Sequence, residues 1–317
     1  MDFRPLGTTG FQIAPIVFGG NVFGWTLDEK TSFSILDAFV DHGFNAIDTA
    51  DVYSVWAPGN EGGESETIIG NWLKANPGKR DQVFIFTKVG WDLEKPGEKG
   101  LSEHWIMEAA ERSLKRLGVE RIDLYFSHRA DPETPYEETL GAFDKLLKAG
   151  KIRAVGASNL DASQLSSALD VAKTHNLPRY EVIQPEYNLY DRSSYDGALR
   201  DLCIKEKLGV VPYYSLASGF LSGKYRTQDD LSQSARGSGI GKYLNPRGLK
   251  ILAALDAVAA RHDAKQAEVA LAWLIGREGV TAPIASATRR EHIESFAKAV
   301  QLNLSAEDRA ELDAASA

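Results

Sequence analysis

The chain has 317 residues, 43% of them hydrophobic and 25% charged, a balance that suits a globular protein with a sizeable core and excludes a disordered one. A formal net charge of −8 gives no electrostatic footprint for a nucleic-acid backbone or an anionic membrane surface, and no stretch approaches the ~20 apolar residues that span a bilayer. Cys203 is the single cysteine, so no intrachain disulfide or cysteine metal cluster can form. With no basic and apolar leader in MDFRPLGTTG, a reducing cytoplasmic setting is the expectation.

Residues 1 to 12 read as a short hairpin around Gly7 to Gly10, placed before the first strand of the main sheet to cap one end of it. Short apolar runs then alternate with helix-period segments. IAPIVFGG (13 to 20) precedes TSFSILDAFVDHG, FNAIDTA (44 to 50) precedes SETIIGNWLKA, and VFIFTKVG (83 to 90) precedes EHWIMEAAERSLKRLG. IDLYFSH (122 to 128) precedes YEETLGAFDKLLKAG, IRAVGASN (152 to 159) precedes DASQLSSALDVAKTH, and EVIQPEYN (181 to 188) precedes YDGALRDLCIKEK. VVPYYS (210 to 215) opens a long loop, and VTAPIASA (280 to 287) precedes REHIESFAKAV.

Glycines at 43, 118, 150 and 209 stand where left-handed helix caps belong. The strands are apolar nearly throughout, as in a parallel sheet covered on both faces. Eight such units predict one α/β domain over residues 1–317, a closed (β/α)8 TIM barrel with an N-terminal β-hairpin. An open doubly wound sheet would carry a Gly-x-Gly-x-x-Gly turn after an early strand, and none occurs. Two long loops, 54 to 64 and 216 to 248, belong at the C-terminal rim, where they mark a site or a lid.

Strand ends on that rim carry the chemistry. Asp48, Lys88 and His128 stand 40 residues apart in successive units, which predicts one shared layer of the mouth, and Tyr53 follows Asp48 by five. Singly, each has a plainer reading: a turn aspartate, a solvated lysine, a core histidine, a rim aromatic. Together they make a proton-transfer device. A lysine after the apolar run VFIFT needs an anion beside it, which Asp48 supplies. The ammonium is expected to lower the Tyr53 phenol toward neutrality, while His128 hydrogen-bonds a carbonyl oxygen as charge develops there. No metal is required, and a His and carboxylate metal site fits poorly with Lys88 adding a cation to the same cavity.

These segments, GFNAIDTADVY, FTKVG, LYFSH, GASN, IQPEYN and YYSLASGFLSGKYR, resemble the aldo-keto reductases along essentially the full chain. The resemblance implies NADPH bound in an extended pose, NADH being possible, and a tetrad of Asp48, Tyr53, Lys88 and His128 with Tyr53 as general acid. It implies that Ser158, Asn159 and Gln184 hold the nicotinamide carboxamide and that Tyr213 stacks on the ring. The amides of Leu216 and Gly219 and the ammonium of Lys224 would clamp the pyrophosphate. Ser286, Arg289 and Arg290 would take a 2′-phosphate, with Glu294 near the adenine. Asparagine is often next in the family where Ser295 stands here, and the loop SVWAPGNEGGESE is longer than in many members. Trp25, Trp56, Trp91 and Arg129 are expected on or near the rim, facing a small-molecule carbonyl or alcohol. The alternative is an NADPH-binding, redox-sensing regulatory subunit of the potassium-channel beta type. Oligomeric state and reaction direction are not readable from these residues.

Overall fold

A computed structural model describes residues 1–93, 95–233 and 237–317. The hairpin is β1 (Arg4–Pro5) and β2 (Gln12–Ile13), paired antiparallel. Next come β3 (Val17–Gly19), α1 (Glu29–Asp41), β4 (Ala46–Asp48), α2 (Glu64–Ala75), β5 (Phe84–Val89), α3 (Glu103–Leu117), β6 (Ile122–Ser127) and α4 (Tyr136–Lys148). The second half holds β7 (Ile152–Ser158), α5 (Ala162–Thr174), β8 (Val182–Gln184), α6 (Ala198–Lys205), β9 (Gly209–Val210), α7 (Pro246–Arg261), α8 (Gln266–Ile275), β10 (Ile284–Ala285), α9 (Arg290–Gln301) and α10 (Ala306–Ser316). Among the described residues no helix is long and apolar enough to cross a membrane.

Eight strands, β3 to β10, form one parallel sheet, with β10 beside β3 at one end of the order and β9 at the other. The ring closes where the Thr281 N–H donates to Val210 O (2.8 Å) and the Ile284 N–H to Pro212 O (2.8 Å). The predicted (β/α)8 barrel and its hairpin are present.

Two separate apolar cores explain why the strands read as uniformly hydrophobic. One lies between sheet and helices. The other fills the barrel with Val17, Ala46, Phe86, Leu124, Phe126, Ala154, Val182, Val211, Ala282 and Ile284, closed below by Leu6, Phe11 and Ile13 of the hairpin region. Both faces are dry, so alternation of polarity is lost although alternation of direction is kept.

Three expectations are corrected. The seventh strand was expected over 210 to 215, but its ladder is Gly209–Val210, because Pro212 has no N–H to donate; Tyr213 rejoins the sheet through a single bridge to Glu186. Gly43, Gly118 and Gly150 do adopt left-handed geometry after their helices, whereas Gly209 does not, Lys207 taking that conformation instead. Helices α7, α8 and α10 have no counterpart among the eight predicted units.

Gly209 is needed for a different reason. A Cβ there would stand 2.7 Å from the Leu6 side chain and 3.0 Å from the Gly7 nitrogen, so it is the seat on which the hairpin rests. Gly209→Ala is expected to cost about 1–3 kcal/mol by overpacking that seat, read as a lower midpoint in thermal or urea unfolding; an unchanged midpoint would show the hairpin is not clamped there.

Candidate active site

The direction of side chains along each strand builds the site. Inward positions recur every second residue, and beyond the last apolar one each strand places a polar group at the mouth. Thus Ala46 leads to Asp48, Phe86 to Lys88, Phe126 to His128, Ala154 and Gly156 to Ser158, Val182 to Gln184, Val211 to Tyr213, and Ile284 to Ser286. On β3 the corresponding residue is Gly19, where a Cβ would stand 2.7 Å from Ser286 Oγ.

The 40-residue spacing does not put the three charged residues side by side in the ladder. Asp48 pairs with Phe86 and Lys88 with Phe126, so each lies two residues farther along than its neighbour, and strand tilt brings them together. Lys88 is fully buried, and its Nζ donates to Asp48 Oδ2 (2.7 Å), Thr49 O (2.7 Å) and Tyr53 Oη (2.8 Å). That uses all three ammonium protons. The Tyr53 hydroxyl donates to Asp48 Oδ2 (3.1 Å), and Gln184 Nε2 donates to Asp48 Oδ1 (2.8 Å).

The expected lowering of the Tyr53 pKa is not what this arrangement produces. Burial and the Asp48 carboxylate hold the phenol well above its usual range, because Asp48 offsets the Lys88 charge that would acidify it. Burial likewise lowers Lys88, against the pull of Asp48. His128 is held well below the usual imidazole range by burial and by Lys88 and Arg129, so it is neutral at pH 7; its Nδ1 is buried without a hydrogen-bond partner.

A second chain of bonds runs along the mouth. Ser158 Oγ donates to Gln184 O (2.8 Å), Asn159 Nδ2 to His128 O (2.9 Å), and the Tyr213 hydroxyl to Asn159 Oδ1 (2.7 Å). Asn159 holds this position with a φ of 57°. Left-handed residues then crowd the next turn, with φ of 46° at Ala217, 57° at Ser218 and 101° at Gly219, a backbone concavity of the kind that receives anions. The Gly219 amide itself is taken up by Leu216 O (2.8 Å).

One cavity of about 960 Å³ is lined by Asp48, Tyr53 and His128 together with Ser158, Asn159, Gln184, Tyr213, Leu216, Gly219, Lys224 and Ser286, while Lys88 lies behind its wall. Trp56 and Trp91 line it too, Trp91 with its ring 5.1 Å from that of His128. Trp25 and Arg129 do not. Trp25 packs edge-on behind Trp56 at 5.6 Å, and the Arg129 guanidinium lies 5.1 Å over the Trp91 ring.

Arg289, Arg290 and Glu294 also lie outside the lining. On α9, positions 292, 295 and 296 share the face toward the cavity, which turns 290 and 294 away; Arg290 reaches Ser34 on α1 (3.4 Å). The lining instead includes Asn21, Tyr214, Lys265, Gln266, His292 and Phe296, none singled out from sequence. Lys265 and His292 carried a weak signal as basic residues at helix starts.

A family model described as "Aldo/keto reductase family" matches residues 15–317. The chain belongs to the aldo/keto reductase family. Aldo-keto reductase YhdN of Bacillus subtilis is 32% identical over 99% of this chain and 93% of its own, and the same organism's uncharacterized oxidoreductase YrpG is 32% identical over 97% and 93%. A probable voltage-gated potassium channel subunit beta of Arabidopsis thaliana is 32% identical over 95% of this chain and 92% of its own. Oxidoreductase activity is what membership of this family implies.

Proposed function

We propose that the protein is an NADPH-dependent oxidoreductase that reduces an aldehyde or ketone to its alcohol, or runs the reverse, with Tyr53 as general acid and base. The observation that carries this is the three-way contact of Lys88, Asp48 and Tyr53, buried at the wall of a large cavity beside His128.

The cavity suits a dinucleotide. It has the volume, a row of amide and hydroxyl groups at Ser158, Asn159 and Gln184, an aromatic face at Tyr213, and the left-handed turn at 217–219 for a diphosphate. At its other end stand Lys224, Lys265 and His292. His292 is held below its usual range by partial burial, by Arg289, and by Lys224 and Lys265, which places these cations around one spot. Among the described lining residues Asp48 is the one carboxylate; Glu291, the acid that acts on His292, lies outside the lining and is outnumbered there by Arg289, Lys224 and Lys265. That supports NADPH over NADH, with Lys265 joining Arg289 beside His292 while Arg290 is turned away.

Bound NADPH supplies the hydride. His128, neutral and 6.0 Å ring to ring from Tyr53, carries its one N–H on the ring nitrogen other than the buried Nδ1 and donates it to the substrate oxygen, fixing that oxygen near the phenol. Tyr53 gives its proton to the oxygen as negative charge grows there; an alkoxide is a far stronger base than a phenolate, so a high phenol pKa keeps the acid loaded without blocking transfer. Lys88 stabilises the phenolate left behind and Asp48 holds Lys88 in place. The same identity to a protein named as a channel subunit supports a second reading, a nucleotide-binding regulatory subunit. A regulatory subunit needs binding without turnover, so a panel of carbonyls decides between the two.

Tyr53→Phe is expected to lower kcat by about 10²–10⁴-fold while the NADPH dissociation constant, read by fluorescence titration, stays within about twofold. Turnover persisting at wild-type rate would remove Tyr53 from the chemistry. The raised phenol pKa sets the pH response: reduction needs the protonated form and stays flat through Tyr53 from about pH 6 to about pH 9, whereas oxidation needs the phenolate and climbs by up to about tenfold per pH unit. A reduction rate that falls with an apparent pKa near 7 would contradict this. Lys265→Met is expected to weaken NADPH about 10- to 100-fold with little change for NADH, and Arg290→Ala to leave that ratio alone; the reverse pattern in calorimetric titrations would return the phosphate to the arginines.

A further inference from the structure

Behind Lys88, on the side away from the cavity, lies a second buried polar cluster that the mechanism does not use. Asp51 is 2% exposed and neither carboxyl oxygen has a hydrogen-bond partner. The Tyr125 hydroxyl, also buried, has none either. Glu66 on α2 is fully buried but satisfied: it accepts from Thr87 Oγ1 (2.5 Å) and from Arg116 Nε on α3 (2.6 Å). Gly62 and Gly63 of the long loop cover this cluster, since a Cβ at Gly62 would stand 3.0 Å from Asp51 O and one at Gly63 2.5 Å from the Arg116 side chain.

Counting charges decides the state of Asp51. The groups acting on it are Glu66 from α2, Arg116 from α3, the backbone N–H of the adjacent Val52 and Lys88 from β5, with Tyr125 from β6 as a neutral neighbour. With Asp48 on the far side of Lys88, the buried set comprises two cations and three carboxyls. Asp48 accepts from Lys88, Tyr53 and Gln184, and Glu66 from Thr87 and Arg116, so each pairs with a cation and has the donors a buried carboxylate needs. A third anion, with no side-chain donor and no cation of its own, is far more costly to bury than the neutral acid, and the backbone N–H of the adjacent Val52 does not offset that cost. Arg116 is 26% exposed, and the screening this allows only lowers the demand for anions. The direction found for the Asp51 carboxyl agrees: burial first, then Glu66, raise it well above the usual carboxylate range.

We propose that Asp51 is a positioning residue carried in the folded protein as the uncharged carboxylic acid, so that Lys88 faces Tyr53 with its charge offset by Asp48 alone. An ionised Asp51 would over-neutralise the ammonium and leave the Tyr53 phenolate without its support. The consequence at Tyr53 rests on the function proposed above; the protonation state does not.

Infrared spectra of the intact protein test the state directly, without turnover. Wild type at about pH 8 should show the carbonyl stretch of a buried carboxylic acid that Asp51→Asn lacks. Glu66→Gln should also abolish that band, because Asp51 then ionises to balance Arg116 and Lys88. Stability carries the same sign. A folded-state pKa above the unfolded value of about 3.9 means the folded chain keeps a proton that the unfolded chain releases, so the Asp51 contribution falls as pH rises above about 4. The melting midpoint of Asp51→Asn relative to wild type should therefore rise by several degrees between about pH 5 and about pH 8. In the oxidation direction, Glu66→Gln alone should leave the alkaline limb in place, and the double variant Glu66→Gln with Asp51→Asn should move it down by about one pH unit. An acid band unchanged by Asp51→Asn, or a melting difference that does not vary with pH, would overturn the proposal. Should the double variant fail to fold, the infrared spectra of the two single variants decide the matter.

Discussion

Everything at the mouth of this barrel depends on one ammonium group buried away from the protein surface. Lys88 is fully buried, and a cation there is tolerated only because Asp48, the Thr49 carbonyl and the Tyr53 hydroxyl take its three protons. The arrangement leaves no freedom. Asp48 is fixed in turn by Gln184 from across the ring, and Thr49 bonds Ser65, whose hydroxyl donates to Gly20 O (2.8 Å). A single desolvated charge thus ties the turn after β3 to β4, β5, β8 and α2, and the phenol it orders lies at the cavity wall.

The barrel makes such a site with few special devices. Each strand carries apolar inward residues until the interior is full, and the next inward position is polar. Shear and tilt then gather those positions from several strands within reach of one another. Gly19 and Gly156 are the exceptions that prove the packing is tight: one leaves room for Ser286, and the other for the Phe126 ring, which a Cβ would approach to 2.5 Å. Stability lives below this layer and chemistry in it, which lets the mouth carry buried charges over a core held by apolar contact.

Much of this was legible because it is local and periodic. The eight units, their order, the hairpin and the strand-end residues come from runs of apolar residues and their spacing. What was not legible depends on rotation or on distant partners. The pair Arg289 and Arg290 looked suited to a phosphate in the sequence, yet the pitch of α9 turns Arg290 outward and brings His292 and Ser295 inward. Lys265 carried only the weak signal of a basic residue at a helix start, because its place beside Ser295 comes from α8 meeting α9, two elements whose contact no spacing reveals. Gly209 was legible as necessary but not as the seat of the hairpin, since the residue it touches lies about 200 positions away in sequence.

The direction of the Tyr53 shift marks the limit of reasoning from a pair. An ammonium beside a phenol acidifies it, but here a carboxylate bonds both, and burial disfavours any net charge on the oxygen. The resting site is therefore a loaded acid rather than a ready base. In the proposed reduction such a device favours proton donation at neutral pH, because the driving force comes from the carbonyl oxygen, which becomes basic as hydride reaches its carbon, and not from the phenol. The same logic extends one layer outward. On the proposed mechanism a phenolate forms briefly beside Lys88, so an ionised Asp51 would be a surplus anion there; the long loop packs Gly62 against the Asp51 backbone and Gly63 against Arg116, which keeps that carboxyl buried.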